Sequence, residues 1–124
     1  MNSFPPNTTV HLEAGDYQTK GYAIGVSGGW KPKRGFRIIG AGVDTTTLKL
    51  VSAATDDKQY FAIGGEDTTL ADGFEISSLT VDANLGGQTS AKVATGGIKV
   101  FGTHVRISDL RVINFGTRTK AVVH

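Results

Sequence analysis

With 124 residues and a mass of 13.0 kDa, the chain has room for one domain with a hydrophobic core. Thirteen basic residues against 11 acidic ones give a net charge of +2, and the basic residues are not gathered into one run, which argues against a nucleic-acid footprint. The absence of cysteine excludes disulfides and thiolate metal sites, and the 17 glycines favour a turn-rich, all-β chain over a helical one.

The first eight residues, MNSFPPNT, have no basic n-region or apolar h-region, and no stretch approaches the roughly 20 apolar residues of a membrane span. Asn7-Thr8-Thr9 is a glycosylation sequon, relevant only on a eukaryotic secretory route. TVHLEAGDYQT at 9–19 then gives Val10 and Leu12, a Gly15-Asp16 turn and Tyr17, followed by an apolar run at Ile24 and Val26. GFRIIGAGVDTTTLKLV at 35–51 repeats the pattern with Phe36 and Ile38, a glycine-rich interruption, then Leu48 and Leu50; Phe61 and Ile63 follow. Its GAG lacks the third glycine and the following helix of a dinucleotide loop, so it reads as a structural turn.

GFEISSLTVDANL at 73–85 places Phe74 and Ile76 before Ser77-Ser78, and Leu79 and Val81 after it; Ile98 and Val100 come next. HVRISDLRVINFG at 104–116 does the same around Ser108-Asp109, with Val105 and Ile107 before and Leu110 and Val112 after. In a continuous strand that one-residue slip would throw the later apolar groups into water. If the chain bends there, both pairs stay inside, and small polar side chains bond the backbone at the corner.

Leu48, Leu79 and Leu110 recur at intervals of 31 residues, and Ile24, Phe61 and Ile98 at intervals of 37. Recurrence with variable loops is the signature of a solenoid. The expected architecture is an all-β, right-handed parallel β-helix of three to four coils, three short strands per coil, in one domain over 1–124. The expected inward rows are Val10, Phe36, Phe74 and Val105; Leu48, Leu79 and Leu110; and Ile24, Phe61 and Ile98. The expected outward rows are His11, Arg37, Glu75 and Arg106; Lys49, Thr80 and Arg111; and Gly25, Ala62 and Lys99. A β-sandwich would also alternate, but it does not explain the repeated slip.

VHLEAGDY, FRIIGAGVDTTTLKL, ISSLTVDAN and ISDLRVINFG resemble successive coils of the pectin-lyase-like superfamily of right-handed β-helix proteins, which includes pectate lyases, polygalacturonase-type hydrolases and phage tailspikes. The resemblance covers positions 9–116 and is to the N-terminal coils. Members run to many more coils and usually carry an amphipathic helix before the first, so the expectation is a truncated or naturally short version of a longer solenoid. The resemblance suggests a secreted protein and a substrate groove along the third outward row.

With the inside filled by apolar groups, chemistry falls to outward positions and corner loops. The substrate-binding candidates are Trp30, Lys31, Asp56, Asp57, Tyr60, Glu66, Asp67 and Lys99: an aromatic face stacks on sugar C–H groups, and charged groups take hydroxyls or acids. Asp56-Asp57 and Glu66-Asp67 supply carboxylates, but adjacent acidic residues in loops are commonly turn formers. The Gly-His-Gly type segment of a polygalacturonase-like hydrolase is missing, and His11, His104 and His124 have no metal-ligand spacing.

The expectation is therefore a non-catalytic module, structural or carbohydrate-binding, with no catalytic residue of its own. The alternative is a fragment of a polysaccharide lyase or glycoside hydrolase whose catalytic coils lie elsewhere. No cofactor is expected, with Ca2+ entering only under lyase-like chemistry. The expected partners are a polysaccharide and further copies of the chain, joined through the β-helix ends or strand edges, with Ala121–Val123 as the next strand of the third row. Neither nucleic acid nor membrane is expected.

Overall fold

The structure is a computed structural model that describes residues 4–23, 29–53, 58–66, 70–90 and 93–118. Nine short strands account for its regular structure: β1 Thr9–Leu12, β2 Gly15–Thr19, β3 Arg37–Gly40, β4 Thr46–Leu50, β5 Gln59–Gly64, β6 Glu75–Asp82, β7 Val93–Lys99, β8 Arg106–Ile113 and β9 Gly116–Arg118. A single 3-10 turn, Leu85–Gly87, is the helical content among the described residues.

Strand pairing shows why the chain winds. On the first face β1, β3 and the first halves of β6 and β8 stack in parallel; on the second face β2, β4 and the second halves of β6 and β8 do the same. The third face holds β5 and β7 in parallel. Bridges from Tyr22 and Trp30 to β5 supply the first coil's contribution to it. The chain is thus a right-handed parallel β-helix with three faces.

The slips are corners. Ser77 pairs with Ser108 and Leu79 with Leu110, while the residues between them, Ser78 (φ 62) and Asp109 (φ 45), take the left-handed conformation that turns the chain. A second column of corners precedes the first face: Asn7, Gly35, Gly73 and His104 all have φ between 55 and 76. The N–H groups of Asn7, Gly35 and Gly73 donate to the carbonyls of Arg34, Asp72 and Thr103 on the next coil, at 2.8–3.0 Å. This ladder sets where each coil begins.

The core lies between the faces and contains Phe36, Phe74, Ile38, Ile76, Leu48, Leu79 and Val81, all essentially sealed from water. Each such side chain contributes roughly 1.5–3 kcal/mol. Polar corner groups inside are bonded. Thr46 Oγ1 accepts from the Ala41 N–H at 3.0 Å and donates to the Glu13 carbonyl at 3.1 Å.

Four expected rows are corrected by the register, two on each of the first two faces. Val10 pairs with Ile38, so the first inward row is Val10, Ile38, Ile76 and Ile107, with Phe36, Phe74 and Val105 forming a row of their own one step earlier. Consequently Thr9, not His11, heads the outward row Arg37, Glu75, Arg106. On the second face Leu48 pairs with Val81, and Thr47 with Thr80, because the loop at 41–45 lengthens the corner of the second coil; Lys49 therefore stands beside Asp82.

On the third face Phe61 pairs with Gly96 and turns outward, while Ala62, expected outside, is buried in the core beside Ile63. Two consecutive inward residues mean that this strand bends as well. Ile24, Gly25 and Val26 lie outside the described residues.

Arg37 Nε lies 3.1 Å from Glu75 Oε2, and Arg106 Nη1 lies 3.9 Å from Glu75 Oε1, so the alternating outward row is an ion ladder across three coils. Both arginines are largely exposed, which limits each pair to about 0–1 kcal/mol. A second tie, Arg111 to Asp44 at 3.0 Å, joins the fourth coil to the 41–45 loop of the second.

The last strand departs from the winding. β9 pairs antiparallel with β7, Ala94 facing Thr117 and Thr95 facing Gly116, so the chain turns back after Asn114 (φ 54). Ala121–Val123 lie outside the described residues.

Candidate functional site

The outer surface of the third face is built by two glycines. A side chain at Gly64 would meet the Tyr22 ring at 2.6 Å, and one at Gly96 would meet the Phe61 ring at 2.8 Å. Bare backbone at these positions lets both rings lie against the sheet. Tyr22 is anchored to β5 by reciprocal backbone bonds with Phe61, 2.7 and 2.8 Å long.

Upstream, Thr19 holds the crossing that delivers Tyr22. Its hydroxyl donates to the Ala62 carbonyl at 3.0 Å and accepts from the N–H groups of Gly21 and Trp30 at 3.1 and 3.2 Å. Thr19→Val keeps the shape and strands both N–H groups, at a cost of about 1–3 kcal/mol each. Urea denaturation is expected to show a lower midpoint for this variant with an unchanged slope; an unaltered midpoint would remove Thr19 from this role.

Lys99 is next to Gly64 in the ladder and shares an outward face with Phe101 two residues on. Its Nζ lies 5.7 Å from the Tyr22 ring centre, 5.7 Å from that of Phe61 and 5.6 Å from that of Phe101. Three ring faces hold one ammonium in place, each contact contributing about 0.5–1 kcal/mol where exposed. Beside it opens a cavity of about 320 Å³ lined by Tyr22, Phe61, Lys99, Lys58 and Gln59. Apolar walls with cationic groups at the edge suit a ligand with C–H faces and negative charge.

Among the described residues, Lys99 alone of the expected site residues lines this cavity. Lys31 and Glu66 are exposed at the edge of the first- and second-coil loops, and Trp30 is half-buried, bridged to Ile63 and packed on the core. Tyr60 is placed inside, 3% exposed, with Ala23 and Leu50, because the inward and outward positions of β5 are exchanged relative to the expected alternation. Asp56, Asp57 and Asp67 lie outside the described residues.

Sequence reasoning missed Tyr22, Phe61, Phe101, Lys58 and Gln59. The available signal was Phe101 two residues beyond Lys99 at the end of β7, with Gly96 in the same strand and Gly64 in the facing β5 where rings can lie. Among the described residues no cluster of three or more His, Asp or Glu side chains is arranged to hold a metal, and no helix is long and apolar enough to cross a membrane.

Fold and site together define a parallel β-helix module with an aromatic and cationic cleft on its third face. Among solved structures the chain is similar to the A-module of mannuronan C-5 epimerase AlgE4 from Azotobacter vinelandii, with a TM-score of 0.55 and 25% sequence identity over 85% of this chain. The chain spans 29% of the length of that module. No protein-family model and no curated protein sequence matches it.

Proposed function

We propose that the chain is a carbohydrate-binding β-helix module that takes an acidic polysaccharide along its third face. The observation that carries this reading is the Lys99 ammonium seated among Tyr22, Phe61 and Phe101 at the edge of the cavity shared with Lys58. Pyranose C–H groups suit the ring faces, and a uronate carboxylate suits the ammonium groups. The similarity to an epimerase module named for mannuronan, a polymer with a carboxylate on every sugar, supports the same ligand class.

Binding rather than turnover is the activity assigned to this cleft. Among the described residues the cleft is lined by aromatic, ammonium and amide groups, which suit holding a sugar, whereas glycoside hydrolysis uses a pair of carboxylates across one bond. The alternative, a portion of a polysaccharide-modifying enzyme, is favoured by the fraction of the epimerase module that the chain spans. On that reading the same cleft holds substrate for coils beyond it.

Calorimetric titration with oligomannuronate and oligogalacturonate, and with a neutral cello-oligosaccharide of equal length, tests the proposal. The acidic oligomers are expected to bind and the neutral one to bind far more weakly. Lys99→Gln is expected to weaken acidic binding about tenfold, equivalent to 1.4 kcal/mol. Equal binding of all three sugars, or full affinity in Lys99→Gln, would refute the assignment.

A further inference from the structure

A second lysine shares the register of Lys99. Trp30 bridges Ile63 in parallel, and its carbonyl accepts from the Gly64 N–H at 3.2 Å, so Lys31, one residue on, stands level with Gly64. Gly64 is in turn paired with Lys99. Lys31, Gly64 and Lys99 therefore form one row across the first three coils, in which two lysines flank a position without a side chain. At one inter-strand spacing per coil, the backbones of the two lysines are roughly 10 Å apart.

Tyr22 covers the position between them. A side chain at Gly64 would meet its ring at 2.6 Å, and the Lys99 ammonium lies 5.7 Å from the ring centre. The Lys31 stem rests on Gly65, its Cγ 3.9 Å from where a side chain there would begin. Gly65 is tied to the same row, since its N–H donates to the Lys99 carbonyl at 3.2 Å. Lys31 is exposed and is not among the residues lining the cavity, so it adds a cationic position that the cleft itself does not include.

We propose, resting on the assignment of the cleft to an acidic polysaccharide, that Lys31 and Lys99 bind two carboxylates on alternate sugars of one polymer, with the sugar between them over the Tyr22 ring. The polymer then runs along the solenoid axis, across the coils. In an equatorially linked uronan each sugar is turned over relative to the one before it, so carboxylates recur on one edge at every second unit. One sugar length is close to one coil rise, which sets two such carboxylates against the two lysines. The middle sugar lays its C–H face on the ring and directs its own carboxylate to the opposite edge. Once Lys99 holds the first carboxylate, the second is presented to Lys31 within the same molecule.

Calorimetric titration with the mannuronate dimer and trimer separates this arrangement from the assignment of the cleft. The trimer is the shortest oligomer with two carboxylates on one edge, and it is expected to bind the native chain about fivefold more tightly than the dimer, the scale of one exposed ion contact. In Lys31→Gln the trimer is expected to fall to the affinity of the dimer, while the dimer binds as it does to the native chain and the far-UV spectrum is unchanged. Equal affinity of dimer and trimer for the native chain, or a trimer advantage that survives in Lys31→Gln, would overturn the second contact and leave the cleft assigned. Binding of neither oligomer would remove both.

Discussion

Phe74→Ala is expected to remove about 3–5 kcal/mol of stability, the range for truncating a fully buried aromatic side chain. Phe74 is completely sealed between Phe36 below it and Val105 above, and its backbone continues the ladder on both sides through Glu75 N–H to Phe36 O and Arg106 N–H to Phe74 O, each 2.9 Å. The cavity left by the ring cannot collapse without breaking those bonds, so the cost should fall near the top of the range. Against a total of roughly 5–15 kcal/mol for a domain, the loss is a third or more. The melting temperature should drop by about 10–20 °C. Arg37→Ala, in the neighbouring outward ladder, should change stability by no more than about 1 kcal/mol. If the two variants melt alike, the inside and outside of the first face have been assigned wrongly.

Gly40→Val is expected to be as damaging, by the opposite route. Gly40 sits beneath the Ser78 corner, where any side chain would collide with the Ser78 carbonyl oxygen and approach Leu79 Cβ at 2.8 Å. The obstruction is mostly main chain, so no rotamer change relieves it, and the second and third coils must separate locally. Overpacking of this kind costs about 1–3 kcal/mol and occasionally more. Loss of the Leu48 and Val81 contact, which the same corner aligns, should push the value upward. Denaturation midpoints would measure it, and tolerance of valine at this position would contradict the close coil contact at the corner.

These two positions also show how much the sequence discloses. Ser77-Ser78 and Ser108-Asp109 interrupt alternation without any loop, and a slip with no inserted turn has few explanations other than a corner. The structure places left-handed residues there. Arg37, Glu75 and Arg106 were likewise legible, since their strands carry matching apolar neighbours on either side.

The register of the first two coils was not legible. The equal spacing of Leu48, Leu79 and Leu110 is true of the sequence but spans two coils of unequal length, and the 41–45 loop shifts Leu48 onto Val81 instead. What fixes register is the ladder through Asn7, Gly35, Gly73 and His104, a column of chemically unlike residues that share only a backbone conformation. Hydrophobic periodicity does not see it.

The third face was hidden for a related reason. Ala62 and Ile63 both point inward, so strict alternation exchanges inside and outside for Tyr60 and Phe61. That exchange sent the aromatic candidate to Tyr60, in the core, and overlooked Phe61, on the cleft. Lys99 was found because it lies beyond the bend. Tyr22 reaches the site only through the antiparallel bridge to Phe61, a long-range contact that its local sequence does not announce.

The most direct test of the functional account is a heteronuclear NMR titration of the chain with an oligouronate. The account predicts shifts concentrated at Tyr22, Lys58, Phe61, Lys99 and Phe101, with the ladder residues Arg37, Glu75 and Arg106 unmoved. Shifts centred on that ladder, or none at saturating sugar, would contradict it.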